Sequence, residues 1–304
     1  MRGTLNRMRN RKAFTTAAAG ALALVTGLTG PAYAQATTAT TFAAAPLSAT
    51  DSPAVYGKAA YLMDAASGDV LFEKAGTERM PIASLTKTMT AYVVLKTAKP
   101  TDVVRIERED VKYAVDGGGT TANLRPGDRI TVGQLLYGLL LPSGADAAHA
   151  LARTYGPGVP GFVAKMNATA RELGMNDTQY VNADGLPMPG SDGYSTARDQ
   201  AVLAAKALQV PLIKEVAGTR FHRLPAGDGH RSYSWRNTNR LLGTSGAVGL
   251  KTGFTRAAGY CLAFAGESRG RLLVGVLLDE SVSSRRFSTA ENLLSWGASV
   301  RQDL

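Results

Sequence analysis

Cysteine is nearly absent from this sequence: Cys261 stands alone among 304 residues, so no intrachain disulfide can form. Histidine is almost as scarce. His149, His222 and His230 show no metal-ligand spacing, and His149, in an alanine-rich segment, reads as a packed residue rather than a ligand. Beyond the first thirty or so residues no apolar run approaches the ~20 needed to cross a bilayer. Nor is there a stripe of Lys and Arg interleaved with aromatics, so nucleic acid is not an expected partner. No pattern calls for a metal or an organic cofactor, and none is expected. A chain of this length buries a core without disulfide staples.

The N-terminus does carry a pattern, that of an export signal. Arg2, Arg7, Arg9, Arg11 and Lys12 make a basic head, Ala13–Gly30 an Ala/Leu/Val-rich core, and Ala32-Tyr33-Ala34 a small-x-small cleavage site. No Arg-Arg pair precedes the core and no cysteine lies near the cleavage site, which favours ordinary secretion without a lipid anchor. Residues 1–34 are therefore expected to be a signal peptide, and the mature chain to start at Gln35, in the extracellular or cell-wall space, with no membrane anchor after cleavage. Losing five positive charges takes the formal net charge from +10 to +5. That is mild, and compatible with an anionic wall surface. Residues 35–54, rich in Ala, Thr, Ser and Pro, read as a disordered leader, and 55–304 as one domain.

Within that domain the hydrophobic period changes twice. Ala59–Asp64 and Val70–Lys74, around Ala-Ser-Gly-Asp, predict a β-hairpin. Helical periods follow over Ser84–Thr97, Thr131–Leu141, Ala147–Tyr155, a stretch from Pro160 closing at Gly174, and Thr196–Leu208. Asn182–Tyr194 is a Gly/Pro-rich loop. Val248–Thr255, Tyr260–Ala265 and Leu272–Leu278 are strand-like, and Phe287–Val300 predicts a closing helix. Strands at both ends with helices between them predict an α+β fold: one antiparallel sheet flanked by helices, with a mainly helical lobe inserted.

Chemistry concentrates in Pro81-Ile82-Ala83-Ser84-Leu85-Thr86-Lys87-Thr88. A serine and a lysine three apart at the mouth of a helix share a face, so the amine reaches the hydroxyl. The helix dipole and free N–H groups favour negative charge on that oxygen. A neutral amine could then take the serine proton. Taken alone, Ser84 is equally well explained as a helix cap and Lys87 as a surface residue. A second motif, Gly266-Glu267-Ser268-Arg269-Gly270, fits the nucleophile-elbow pattern. It lies in a charged turn between two strands with no histidine after His230, and is read as a hairpin.

Lys251-Thr252-Gly253 at a strand end and Ser143-Gly144-Ala145 in an interhelical break give Ser84-x-x-Lys87 its context. With Leu124-Arg125-Pro126-Gly127-Asp128, the run Leu135–Gly144, Asn237-Thr238-Asn239 and Lys251–Thr255, the chain from about Val55 onward resembles the low-molecular-weight D-alanyl-D-alanine carboxypeptidases, the serine-type penicillin-binding proteins. The resemblance implies a β-lactamase/transpeptidase-like fold. It implies an exported serine DD-peptidase that cleaves the terminal D-Ala-D-Ala bond of peptidoglycan stem peptides, by carboxypeptidation or transpeptidation, and is inhibited by β-lactams. By the same resemblance Ser84 is the nucleophile, Lys87 its base and Ser143 a proton relay. Lys251 and Thr252 hold the substrate carboxylate, Gly253 lets the substrate backbone approach, and the N–H groups of Ser84 and Phe254 form the oxyanion hole. Burial and the charge of Lys251 are both expected to push the Lys87 pKa down. Two departures stand out: the extra C-terminal β-domain and anchor of many relatives are not expected here, and Ala145 stands where the family usually has Asn. The missing amide implies a slow enzyme, with Ala145→Asn expected to raise kcat/KM. A β-lactamase is the neighbouring alternative, for which the 182–194 loop offers Asp184 and Asp192 but no Glu. A catalytically weak wall-peptide-binding protein is the alternative of another class.

Overall fold

Strand β1 (Ala59–Asp64) is buried along its whole length, which a strand achieves only when layers cover both faces of its sheet. It pairs with β2 (Val70–Lys74) in the expected hairpin. The computed structural model describes residues 52–300 except 191, 228 and 245. The expected signal peptide and nearly all of the 35–54 leader lie outside the described residues.

After the hairpin come a short 3-10 turn (Ala83–Leu85), α1 (Thr86–Leu95), β3 (Val103–Arg105), α2 (Arg108–Asp116), β4 (Arg129–Thr131) and α3 (Val132–Leu140). Then follow α4 (Ala145–Tyr155), α5 (Gly158–Glu172), α6 (Ala197–Leu208), α7 (Pro211–Gly218), β5 (Phe221–Leu224) and β6 (Tyr233–Arg236). A second 3-10 turn (Arg240–Gly243) leads into β7 (Ala247–Thr255), β8 (Gly259–Ser268), β9 (Arg271–Glu280) and α8 (Arg285–Ser299). The main sheet runs β2-β1-β9-β8-β7, antiparallel throughout. Its first strand thus pairs with its last, Tyr61 opposite Val276, and the helical lobe is inserted between them as expected.

Alternation along the strands builds the two layers. Ala59, Tyr61, Met63, Ala263, Val274 and Val276 face the large core shared with the helical lobe, and α6 covers β1 and β9 on that side. Ala60, Leu62, Leu262, Phe264, Leu273 and Leu277 face the other way, against Ala290 and Leu293 of α8. Gly266–Gly270 is a hairpin: Ser268 pairs with Arg271, and Arg269 (φ 51°) and Gly270 (φ 76°) make the two-residue turn.

The structure departs from the sequence expectation in two ways. Ser84 sits in the 3-10 turn, two residues before the start of α1 at Thr86. The pairs β3–β4 and β5–β6, with α2 and α7, were not expected at all. The four strands are three or four residues long, too short for alternation to register. Long-range contacts hold them instead: Val104 opposite Ile130, both fully buried, and Trp235 Nε1 donating to the Ala122 carbonyl at 2.8 Å.

The Phe264 ring lies over its cross-strand partner Gly275, where a Cβ would sit 2.3 Å from the ring tip. Gly275→Val is expected to cost about 1–3 kcal/mol through overpacking between sheet and α8. Urea unfolding checks this, and an unchanged midpoint would show that the ring simply swings aside.

Candidate active site

The chain around Ser84 is shaped by three neighbours. Ala83 is one of six non-glycine residues described with positive φ (48°), a strained conformation that has to be held from outside. From one side, strand β7 packs against the turn: a Cβ on Gly253 would stand 3.0 Å from the Ile82 carbonyl. From the other comes the loop after Asn182. Gly185 (φ 79°) approaches so closely that any Cβ would fall 1.9 Å from the Ala83 carbonyl oxygen, so no side chain fits there. Thr86 Oγ1 donates to that same carbonyl at 2.8 Å.

Lys87 extends from the first turn of α1 into this knot and is 1% exposed. Its Nζ donates to Ser84 Oγ at 3.0 Å and to the Asp184 carbonyl at 2.8 Å. Burial lowers its pKa from the ordinary 10.5 to about 8, while the carboxylates of Asp184 and Asp146 pull the other way. The Lys251 amine, also buried, is likewise pushed well below its usual range, by burial first and then by the charges of Lys87 and Arg286. Lys251 Nζ donates to the Thr252 carbonyl at 2.9 Å.

Loop 182–186 is fastened residue by residue. Asn182 Oδ1 accepts from the N–H groups of Asp184 (3.2 Å) and Gly185 (2.6 Å), and its Nδ2 donates to the Leu186 carbonyl (2.7 Å). Thr90 Oγ1 donates to the Ala183 carbonyl at 2.6 Å, tying the loop to α1. Read from sequence as a Gly/Pro-rich loop, this segment supplies the floor under Lys87. The signal was Asn182 followed three residues later by a glycine, an Asx-type turn.

Ser143 lies between α3 and α4 with φ 67°, a second non-glycine residue in left-handed backbone. It is buried, and its Oγ has no hydrogen-bond partner among the described residues. The adjoining break is locked by the Asp146 carboxylate, which accepts from the N–H groups of Ala122 (2.8 Å), Ala147 (2.9 Å) and Leu124 (3.1 Å). Ala145, 1% exposed, donates its N–H to the Thr120 carbonyl at 2.7 Å, and its methyl group packs beside Gly119.

On β7, an edge strand, Thr252 Oγ1 shares a 2.7 Å hydrogen bond with Thr238 Oγ1, and Phe254 is half exposed. Sequence reasoning missed Arg286. This arginine of α8 is 7% exposed and donates from Nη1 to the carbonyls of Gly253 (2.9 Å) and Cys261 (3.2 Å). Nothing in an Arg-Arg pair on a terminal helix announces that one member points inward to the sheet. The structure thus joins Ser84 to Lys87 and sets Lys251, Thr252 and Gly253 on the strand against their turn. Cys261, 0% exposed with its thiol pushed up to about 12 by burial, is inert. His149 is packed, as expected: it stacks on Tyr113 at 4.6 Å and bonds Asp110 Oδ1 through Nδ1 at 2.7 Å.

Comparison with known proteins places this arrangement in company. The family model described as D-alanyl-D-alanine carboxypeptidase matches residues 46–282. The chain is 36% identical over 270 residues to a D-alanyl-D-alanine carboxypeptidase of Streptomyces sp. strain K15, covering 84% of this chain and 92% of that protein. It is 35% identical to the D-alanyl-D-alanine carboxypeptidase DacC of Escherichia coli, covering 81% of this chain and 62% of that longer protein. Among solved structures, the Streptomyces K15 DD-transpeptidase superposes with a TM-score of 0.78 at 35% identity, over 82% of this chain and 99% of that one. A D-alanyl-D-alanine carboxypeptidase from Mycobacterium tuberculosis gives 0.76 at 31%, over 85% and 97%.

Keeping an amine at a pKa near 8 inside the fold costs stability. The drop from 10.5 is worth ~3 kcal/mol at neutral pH, a penalty fully present below pH 8 and gone above 10.5. Lys87→Met is therefore expected to raise stability at pH 7, by about 1–3 kcal/mol after the lost hydrogen bonds are counted. The gain should shrink between pH 8 and 10.5. Thermal unfolding of both proteins across that range is the measurement, and a pH-independent difference would mean Lys87 is not the titrating group.

Proposed function

The chain belongs to the D-alanyl-D-alanine carboxypeptidase family, and from that premise we propose that it is an exported serine DD-peptidase acting through an acyl-enzyme on Ser84. The observation that carries the reading is the 3.0 Å contact between Ser84 Oγ and a desolvated Lys87 amine, made against the strand that bears Lys251, Thr252 and Gly253. With a pKa near 8, an appreciable fraction of Lys87 is neutral at physiological pH and able to accept the serine proton. Ser84 Oγ bonds to the carbonyl carbon between the two D-alanines, and the C–N bond breaks. The leaving amine takes a proton relayed by Ser143, whose buried hydroxyl is otherwise unpartnered. Water or another amine then releases the acyl group.

The substrate's terminal carboxylate is assigned to Thr252 and the cationic pair Lys251 and Arg286. Both cations are desolvated, and Arg286, like Lys251, has its proton affinity lowered chiefly by burial. A carboxylate arriving beside them draws the lost proton affinity back. Ser84 and Phe254 are assigned the oxyanion-hole N–H groups, Phe254 because alternate N–H groups of an edge strand face away from the sheet. Penicillin carries the same carboxylate-plus-carbonyl pair and is assigned the same site. Export rests on the N-terminal charge-core-cleavage pattern, and among the described residues no helix is long and apolar enough to cross a membrane.

Labelled penicillin is expected on the peptide containing Ser84, and the same mass map of the exported protein should start at Gln35. Ser84→Ala should abolish labelling, and Lys87→Ala should slow acylation by about 10²–10⁴-fold. Because the base must be neutral, the acylation rate should rise tenfold per unit below pH 8 and level off above it. An adduct on Ser143, or a rate that falls across that range, would overturn the assignment.

The outlook for position 145 changes with the structure in hand. An amide there would add a hydrogen bond worth about 0.5–1.5 kcal/mol. The methyl it replaces is buried and packs beside Gly119, and overpacking such a spot costs about 1–3 kcal/mol of stability and disturbs the α3–α4 break that carries Ser143. Ala145→Asn is expected to lower the melting temperature without raising the acylation rate, the reverse of what the sequence alone implied. A faster acylation at unchanged stability would restore the earlier expectation.

A further inference from the structure

Beside the site, and sharing Arg286 with it, lies a groove of about 810 Å³. Pro142, next to Ser143, and Thr238, bonded to Thr252, are where it meets the active site. Its walls carry Arg220, Arg236, Arg240 and Arg286 and no Asp or Glu. Among the described residues none of these four arginines forms an ion pair within 4 Å, so no carboxylate of the chain neutralises the groove. Arg240 lies close enough to Arg286 to lower its proton affinity. Four like charges gathered in one concavity repel one another, at a cost that an arriving anion would relieve. Asn123, Ser234 and Asn237 add neutral polar groups to the same walls, and Trp235 an aromatic face.

The position of the groove decides which part of a substrate would enter it. It adjoins Thr252 and Ser143, the groups assigned to the terminal carboxylate and to the departing amine. It therefore lies on the side of the amine that leaves or attacks, away from the acyl chain. A departing D-alanine has one carboxylate, and Thr252, Lys251 and Arg286 already account for it. The remaining arginines call for a further anion on the same amine component.

We propose that this groove is a second anion subsite, which takes the distal carboxylate of an amino compound carrying more than one, so that the acyl group is exchanged with dicarboxylate amines in preference to monocarboxylate ones. The inference rests on the acyl-enzyme reading above. The step balances without a further reagent. The acceptor nitrogen forms a C–N bond to the acyl carbon, the C–O bond to Ser84 breaks, and the amine proton returns to Ser84 Oγ by way of Lys87. Run in reverse, the same step cleaves a peptide whose leaving portion bears a second carboxylate. Arginine suits the task because its planar fork matches a carboxylate with two parallel hydrogen bonds.

The test compares meso-diaminopimelate with its monoamide as acyl acceptors, taking the ratio of the two aminolysis rates within each protein. The unsubstituted protein should favour the dicarboxylate, and R236Q/R240Q should reduce that ratio by about tenfold. Both arginines are exposed, so their replacement leaves the core untouched. Raising the salt concentration should erode the ratio in the unsubstituted protein more than in the double variant. A ratio near one, or one unaffected by the substitutions, overturns the proposal. Calorimetric binding of meso-diaminopimelate to the unsubstituted and R236Q/R240Q proteins separates the subsite from the chemistry. Arginine-dependent binding with no penicillin adduct on Ser84 would keep the subsite and sink the acyl-enzyme reading, and an adduct without such binding would do the opposite. Arginine-dependent binding of inorganic polyphosphate with no response to the dicarboxylate would overturn the proposal in favour of a polyanion surface.

Discussion

The contact of the Lys87 amine with the Ser84 hydroxyl on one side and the Asp184 carbonyl on the other is made almost wholly out of water. A primary amine in that position is expensive, and much of the surrounding architecture offsets the expense. Asp184 and Asp146 supply opposing charge, though not enough to undo the effect of burial. The Asp184 carbonyl is presented by a loop whose path requires a glycine at 185, and that loop is fastened in turn by Asn182 and Thr90. Relaxing any of these would let water reach the amine, and its pKa would climb back toward 10.5. The contact therefore depends on elements nearly a hundred residues apart in sequence.

Strain and charge accumulate around the same point. Ala83 and Ser143 both adopt left-handed backbone, and each lies at or beside a residue of the site. Such conformations cost about 1–3 kcal/mol apiece and persist only where packing over-determines them. Here the packing comes from β7, from the 182–186 loop and from the Asp146 carboxylate, which takes three backbone N–H groups at the α4 terminus. Lys87, Lys251 and Arg286 bring three desolvated basic groups into one neighbourhood, and Arg220, Arg236 and Arg240 extend the positive field along the adjoining groove. Burying basic groups in this way costs stability.

Much of the fold was legible because long elements write their period into the chain. The β1–β2 hairpin, the three C-terminal strands, and α3, α4, α6 and α8 fall within a few residues of where alternation and 3.6-residue spacing set them. The small strand pairs and α7 were not legible. Val104, Ile130 and Trp235 are held by partners far away in sequence, and strands of three or four residues carry no period of their own. The boundary at Ser84 differed for a related reason: β7 and Gly185 impose the 3-10 turn from outside, against the local preference for continuing α1.

By itself the sequence determined the residue types and spacings: a serine and lysine three apart, a Lys-Thr-Gly run at a strand end, a serine at an interhelical break, and a lone cysteine that rules out disulfides. These are local properties, set by side-chain chemistry and by the repeat of helix and strand. Only the tertiary structure decided the electrostatics. That burial pushes down the proton affinity of both Lys87 and Lys251, that Arg286 turns inward to the β7 and β8 carbonyls, and that Ala145 sits in an enclosed space are all outcomes of distance and desolvation. Both quantities depend on which remote segments pack together, and no window of sequence contains that information.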